Sequence, residues 1–359
     1  MAPAMSYLRM SCRCGSYWPK VMADWAWERK AAGRKTRLVL APIIASDSAG
    51  FFARVVMKQI TFGLALPVLA ALAAGLLTGT TDSQVRAAPI AAPVPPGEAA
   101  KAKPVVLASH RAVYDLKLAK SSGSRGIQAA RGRILYDFSG SACDGYELHF
   151  RQVSQLDSGE GKTILSDLRS TTWENTDASK FRFNSENLLN DKVTDTVDGS
   201  AERGASGVKV GLNKPTSKTF NVPADVVFPT EHMRRIIEAA RAGKTILEFP
   251  VYDGSDGGEK LYHTLTVIGA AIDPAQKPAD DVTGKDPAMA GMLRWPVTVS
   301  YFDKKSEDSE RTGEQTPVYA IAFELYENGI SRALVLDYND FTIKGDLSSL
   351  EMKKAKVCQ

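Results

Sequence analysis

From about residue 110 onward, apolar and polar residues alternate with a period of two, in one run after another. Tyr114, Leu116 and Leu118 alternate with Asp115 and Lys117, and Ile134, Tyr136 and Phe138 with Arg133 and Asp137. Tyr146, Leu148 and Phe150 alternate with Glu147, His149 and Arg151. The pattern returns in Val297, Val299 and Tyr301, in Tyr319, Ile321, Phe323 and Leu325, and in Leu334, Leu336 and Tyr338. Successive side chains of a strand point to opposite faces, so each run builds one apolar and one polar face. About a dozen such strands predict one large antiparallel sheet with a single wet face. A sheet that long is expected to curl or close, because flat open edges pair with other chains. The expected domain spans residues 105–359.

One segment breaks the pattern. In "FPTEHMRRIIEAARAGK", Met233, Ile236, Ile237 and Ala240 recur at helical spacing, with Glu231, Arg234, Arg235, Glu238 and Arg241 opposite. This predicts a short amphipathic helix over about residues 230–242, with Thr230 as N-cap and Gly243 as the C′ stop. Met233 then occupies the capping-box position, where no glutamate stands. Asn328-Gly329 signals a hairpin because both positions tolerate positive φ, and Asp198-Gly199 signals a weaker one. Residues 273–290, "DPAQKPADDVTGKDPAMA", read as a polar surface loop.

The front of the chain is of another kind. Residues 1–56 show neither helical nor strand periodicity. From Met57, a basic Lys58, an apolar run from Ile60 to Leu77 and the small-x-small Val85-Arg86-Ala87 have the layout of a secretory leader over 57–87. A membrane anchor is the rival reading, since the run approaches the minimum length for a span. Pro67, Gly63, Gly75 and the cleavage pattern favour the leader, with residues 1–56 as an upstream extension and no stable span in the mature chain. Residues 88–104, "APIAAPVPPGEAAKAKP", form an Ala/Pro-rich linker. Eleven of the 45 basic and four of the 41 acidic residues precede Ala88, so the net charge changes from +4 for the whole chain to 34 − 37 = −3 beyond it. A basic footprint for nucleic acid is therefore missing.

Export places the two cysteines beyond residue 88, Cys143 and Cys358, where disulfides persist. An internal bridge, two buried thiols and an intermolecular bridge are all open to them. An internal bridge would close 358 − 143 = 215 residues, worth about 5 kcal/mol at most in the chain-entropy model.

Signals of chemistry are sparse. His110, His149, His232 and His263 are scattered with no i, i+4 pair, and no nucleophile elbow has the required spacing. Cys12 and Cys14 lack the further ligands a zinc site needs. Asp253, Asp256 and Glu259 in "YDGSDGGEK" are oxygen-rich, yet Gly257 stands where EF-hand spacing requires a ligand, so a hairpin turn is expected. In "SDLRSTTWE", Arg169, Trp173 and Glu174 either line a ligand surface or form an ion pair under an aromatic lid. No metal or cofactor is expected.

Taken in order, "ASHRAVYDLKL", "FSGSACDGYELHF", "SDLRSTTWE", "FPTEHMRRIIEAARAG", "VYDGSDGGEKLYHTLTVIG" and the cysteine near the C-terminus resemble the EipB family of alphaproteobacterial cell-envelope integrity proteins. The resemblance implies a periplasmic β-spiral, a barrel-like curl of many antiparallel strands with a short helix. It implies a single disulfide at Cys143 and Cys358, a periplasmic tetratricopeptide-repeat protein as partner, and no enzymatic activity. The expected function is non-enzymatic support of envelope integrity through protein contacts. The alternative is a carrier holding a lipid or acyl chain in the concave face of the sheet, and an unfilled apolar interior would favour it.

Overall fold

The computed structural model describes residues 104–122, 127–159, 161–276, 278, 281–303 and 316–354. The chain divides into two units, Met1–Lys58 and Gln59–Gln359, and every described residue belongs to the second. The extension at 1–56, the leader at 57–87, the linker up to residue 103 and Cys358 lie outside the described residues.

Fourteen strands among the described residues form one antiparallel sheet. The first eight are β1 (His110–Ser121), β2 (Ala129–Ser141), β3 (Gly145–Asp157), β4 (Thr163–Glu174), β5 (Lys180–Leu189), β6 (Lys192–Gly204), β7 (Gly207–Lys214) and β8 (Lys218–Val222). Helix α1 (Pro229–Arg241) follows. The rest are β9 (Ile246–Val251), β10 (Tyr262–Ile268), β11 (Arg294–Asp303), β12 (Tyr319–Tyr326), β13 (Ser331–Asp337) and β14 (Phe341–Met352). Strands adjacent in sequence are adjacent in space except for β8 and β9, and one pairing joins strands distant in sequence: β14 with β1. Two meanders, β1–β8 and β9–β14, are thereby joined along a seam that places Ala112 opposite Leu350 and Tyr114 opposite Leu347.

The sheet is curled, with β8 and β9 as its edges. Just past β8, Val227 bridges to Val251 of β9: its N–H donates to Pro250 O (2.8 Å) and its carbonyl accepts from Tyr252 N–H (3.0 Å). The turn leaving β9 then wedges against the inner face of β5–β7. Tyr252 stands edge-on to Phe183 (5.7 Å, 76°), and its hydroxyl donates to Gly258 O at 2.6 Å. Gly258 lies so close that a Cβ would come within 2.7 Å of Leu212 and 2.9 Å of Val197, and its φ of 78° suits glycine.

The apolar face produces the interior. One core joins Tyr114, Phe138, Tyr146, Trp295 and Leu325 to Ile236 and Ile237 of α1. A second holds Phe181, Phe183, Val197, Leu212, Phe228 and Tyr252. The six alternating runs named from the sequence lie in strands, except for Tyr338 just past β13, with their apolar residues on this face.

Four local expectations change. The helix begins a residue earlier, with Phe228 as N-cap and Pro229 at N1, where its missing N–H costs nothing. Glu231 thereby reaches N3 and is buried in ion pairs with Arg203 (2.8 Å) and Arg235 (2.5 Å) instead of facing solvent. At the other end Gly243 takes φ 71°, and the N–H groups of Gly243 and Lys244 reach back to Ala240 and Ala239, a complete Schellman stop. Asp198-Gly199 is no turn: it lies within β6 at a register shift, where a Cβ on Gly199 would meet Phe183, Gly211 and Leu212. The β5–β6 turn is Asn190-Asp191, both with positive φ. Asn328-Gly329 does turn β12 into β13, but only the glycine takes positive φ, and the Asn328 side chain accepts Ile330 N–H at 3.1 Å. Residues 273–290 are more than a surface loop: Asp281, Thr283 and Met289 are buried, and Arg332 pairs with Asp281 at 2.7 Å.

Gly258→Ala should destabilise the fold by about 1–3 kcal/mol, from overpacking against Leu212 and Val197 plus backbone strain. Gly257→Ala keeps the strain but meets no atom within 4 Å. Equal denaturant midpoints for the two variants would refute the wedge.

Candidate functional site

The three residues singled out in "SDLRSTTWE" do not form one site. Arg169 and Trp173 lie on the outer face of β4 and Glu174 on the inner. Arg169 pairs with Asp167 (2.8 Å) and Glu186 (3.6 Å), and Asp167 also takes Arg151 (2.7 Å). The Trp173 indole donates to Asp144 O (3.2 Å), with the Arg182 guanidinium 4.7 Å over its ring. Trp173, Arg182, Asn184, Asp198 and Asn213 border an open outer groove of about 460 Å³.

Glu174 is 2 % exposed and works inward. Its carboxylate accepts the N–H groups of Thr230 (2.8 Å) and Glu231 (2.7 Å), so it caps the first turn of α1 from a distant strand. Burial pushes its carboxyl up to about 7, opposed by those two donors. Its role is to fix α1 against the sheet.

Cys143 stands exposed in the turn between β2 and β3 and is disulfide-bonded. Asp253, Asp256 and Glu259 do not converge: Asp256 takes Lys260 (3.0 Å), Glu259 takes Lys218, and Asp253 accepts Ser255 N–H (2.9 Å). Among the described residues no group of three His, Cys, Asp or Glu is placed to hold a metal ion.

The inner face differs along its length. At one end of the strands α1 packs against Phe138, Tyr146, Trp295 and Leu325, and side chains are fully buried. Toward the other end Leu118, Phe150, Leu156, Ile321, Tyr338 and Phe341 share the apolar face and are only partly buried. There the aromatic rings line up across strands. Tyr301 stacks on Tyr319 (5.0 Å, 25°), Tyr319 on Tyr338 (5.8 Å, 27°), and Tyr338 on Phe341 (5.0 Å, 24°). Tyr262 closes the row edge-on to Tyr301 (5.9 Å, 88°). Burial raises the hydroxyls of Tyr301, Tyr319 and Tyr338 above the usual tyrosine range. These partly buried side chains line the concave side of the curled sheet. Tyr301 and Tyr338 end their alternating runs and Tyr319 begins its own, so the antiparallel strand order brings all three to one end of the sheet, and the ladder needed the strand register.

The EipB-like family model matches residues 101–354. Over 256 residues the chain is 35% identical to the cell envelope integrity protein EipB of Brucella abortus (strain 2308), covering 71% of this chain and 88% of that protein. A crystal structure of a beta-barrel-like protein of domain of unknown function DUF1849 from Brucella abortus matches with a TM-score of 0.63 and 34% identity, over 70% of this chain and 100% of that one. Among the described residues no helix is long and apolar enough to cross a membrane.

His232 of α1 yields a pH prediction. It is 5 % exposed, edge-on to Phe249 (5.9 Å, 82°), and its Nε2 has no hydrogen-bond partner. Burial, with Arg235 adding to it, pushes its imidazole down to about 4. A depressed folded value means that its contribution is complete above pH 6.5 and is lost as pH falls through 4. Between pH 7 and 4 the wild type should lose about 3 kcal/mol more stability than His232→Phe, measured by denaturant unfolding. The raised Glu174 acts in the opposite sense, its contribution lost as pH rises through 7, but it is common to both proteins. Parallel stability curves would show that His232 is not buried neutral.

Proposed function

Because the chain belongs to the EipB-like family, we propose that it supports cell-envelope integrity from the periplasm, as a non-enzymatic protein that holds an apolar chain in its concave face. The partly buried apolar surface of Leu118, Phe150, Leu156, Ile321 and the tyrosine row carries this reading. An apolar, partly buried surface on the concave side of a curled sheet suits an acyl chain or the lipid part of a larger molecule. Export through the leader at 57–87 belongs to the same reading.

A second reading, action through protein contacts, has its own support. Ile246 (61 % exposed) and Val267 (47 %) stand directly opposite each other on the outer face of β9 and β10. Such an apolar pair at a sheet edge suits a protein partner, and a periplasmic tetratricopeptide-repeat protein is the one the family suggests.

The disulfide partner of Cys143 in this proposal is Cys358. His110 at the start of β1 pairs with Phe138 of β2 on one side and Met352 of β14 on the other. β2 and β14 therefore run in the same direction and leave the sheet at the same end, two strand spacings or about 10 Å apart. Cys143 follows Phe138 by 143 − 138 = 5 residues and Cys358 follows Met352 by 358 − 352 = 6. Lys353 holds the outgoing chain in line, with its N–H on Ser109 O (2.9 Å) and its ammonium on Asp137. A few extended residues at about 3.5 Å each span that gap easily.

Two experiments test these readings. Native mass spectrometry of protein purified from the periplasm, followed by solvent extraction, should release an acyl lipid, and Ile321→Arg should abolish its retention. Protein that carries nothing and does not bind a fluorescent acyl probe would leave the protein-contact reading. For the bridge, Cys358→Ser should lower stability by about 2–4 kcal/mol and open the C-terminal tail to proteases. Unchanged melting and proteolysis would mean that the pairing is absent.

A further inference from the structure

Where the aromatic row ends, it meets a carboxylate. Tyr262 and Tyr301 stand perpendicular at 5.9 Å, forming two walls of a corner that Tyr319 extends. Asp253 lies in the turn leaving β9, two residues past Val251, which pairs with Tyr262, and three before Asp256, which accepts the Tyr262 hydroxyl. Its carboxylate accepts the Ser255 N–H at 2.9 Å and forms no ion pair among the described residues. The neighbouring acids are already compensated: Asp256 takes Lys260 (3.0 Å) and the Tyr262 hydroxyl, Asp303 shares Lys260 (3.2 Å), and Glu259 takes Lys218. The Lys260 ammonium lies 4.7 Å over the Tyr262 ring, so one aromatic face of the corner already receives a cation. Burial raises the Asp253 carboxyl, as expected for a crowded carboxylate with no cation opposite it.

Aromatic faces attract cations through their quadrupole, and a desolvated carboxylate beside them adds charge complementarity. We propose that the concave face selects amphiphiles with a cationic head group, an amine or quaternary ammonium, seated between the Tyr262–Tyr301 corner and Asp253 while the apolar chain lies against Phe150, Ile321 and Tyr338. This rests on the apolar-chain reading above and adds the chemistry of the head. An anionic head in the same place would face Asp253 with no free cation among the neighbours described.

The test is calorimetric titration of the purified full-length protein with three probes that share one alkyl chain, each below its micelle concentration. They are dodecyltrimethylammonium, dodecyl sulfate and dodecyl maltoside. The ammonium should bind at least about tenfold tighter than the other two. Asp253→Asn should bring it to parity with the maltoside and leave maltoside binding unchanged. Equal binding of all three would overturn head-group selection and leave the apolar-chain reading standing, whereas no binding of any would remove both. A preference for the sulfate, or an ammonium preference that survives Asp253→Asn, would also overturn the proposal. Should that variant not fold, the wild-type ranking together with competition by tetramethylammonium decides.

Discussion

The seam between β1 and β14 is the constraint on which the rest of the sheet depends. Every other ladder joins strands that follow each other in sequence, so each can form as soon as its own turn does. Among the ladders, the seam alone pairs residues more than 200 positions apart, His110 with Met352 and Ser121 with Phe341. Ordering that separation carries a large loop-closure term, offset by the apolar residues it brings face to face. Ala112, Tyr114 and Leu116 meet Ile343, Leu347 and the neighbouring strands in the main core. Polar pairs line its outer side, with Arg111 between Asp137 and Glu351, and Lys117 on Asp346. The seam also brings the end of the described chain beside β2, so the geometry around Cys143 follows from it.

Much of this architecture was legible in the residues, because alternation is a local property. Val297, Val299 and Tyr301 declare an inward face whatever their neighbours are, and so do the other five runs. Facts that depend on a distant partner were not legible. Glu231 looked solvated because neither Arg203 nor the start at Phe228 could be inferred from the helix alone. Gly199 looked like a turn because Asp-Gly is a turn signal, whereas the closeness of Phe183 and Leu212 that requires a glycine there comes from packing across strands. The burial of Asp281 likewise depends on Arg332, which stands in β13.

The candidate site divides in the same way. Arg169, Trp173 and Glu174 are close in sequence, but alternation sends Glu174 to the opposite face from the other two. That was derivable from period two and was outweighed by their proximity. The aromatic row is the opposite case: its members are far apart in sequence and meet only once the register is known. Asp253 was read as part of a turn, correctly for its backbone, while its isolation from any lysine or arginine became visible only when Lys260 and Lys218 were found on other acids.

The curl has edges, and this has a mechanical meaning. In a closed barrel the number of strands and their stagger set the radius, so the lumen can widen only by breaking a ladder. Here the circumference is held where Val227 meets β9, by two backbone hydrogen bonds and the wedge of Tyr252 beneath them. Parting that contact would let the sheet unroll slightly about its long axis with every strand pairing kept. The width of the curl is therefore set by a contact outside the strand ladders, and not by strand number and stagger alone.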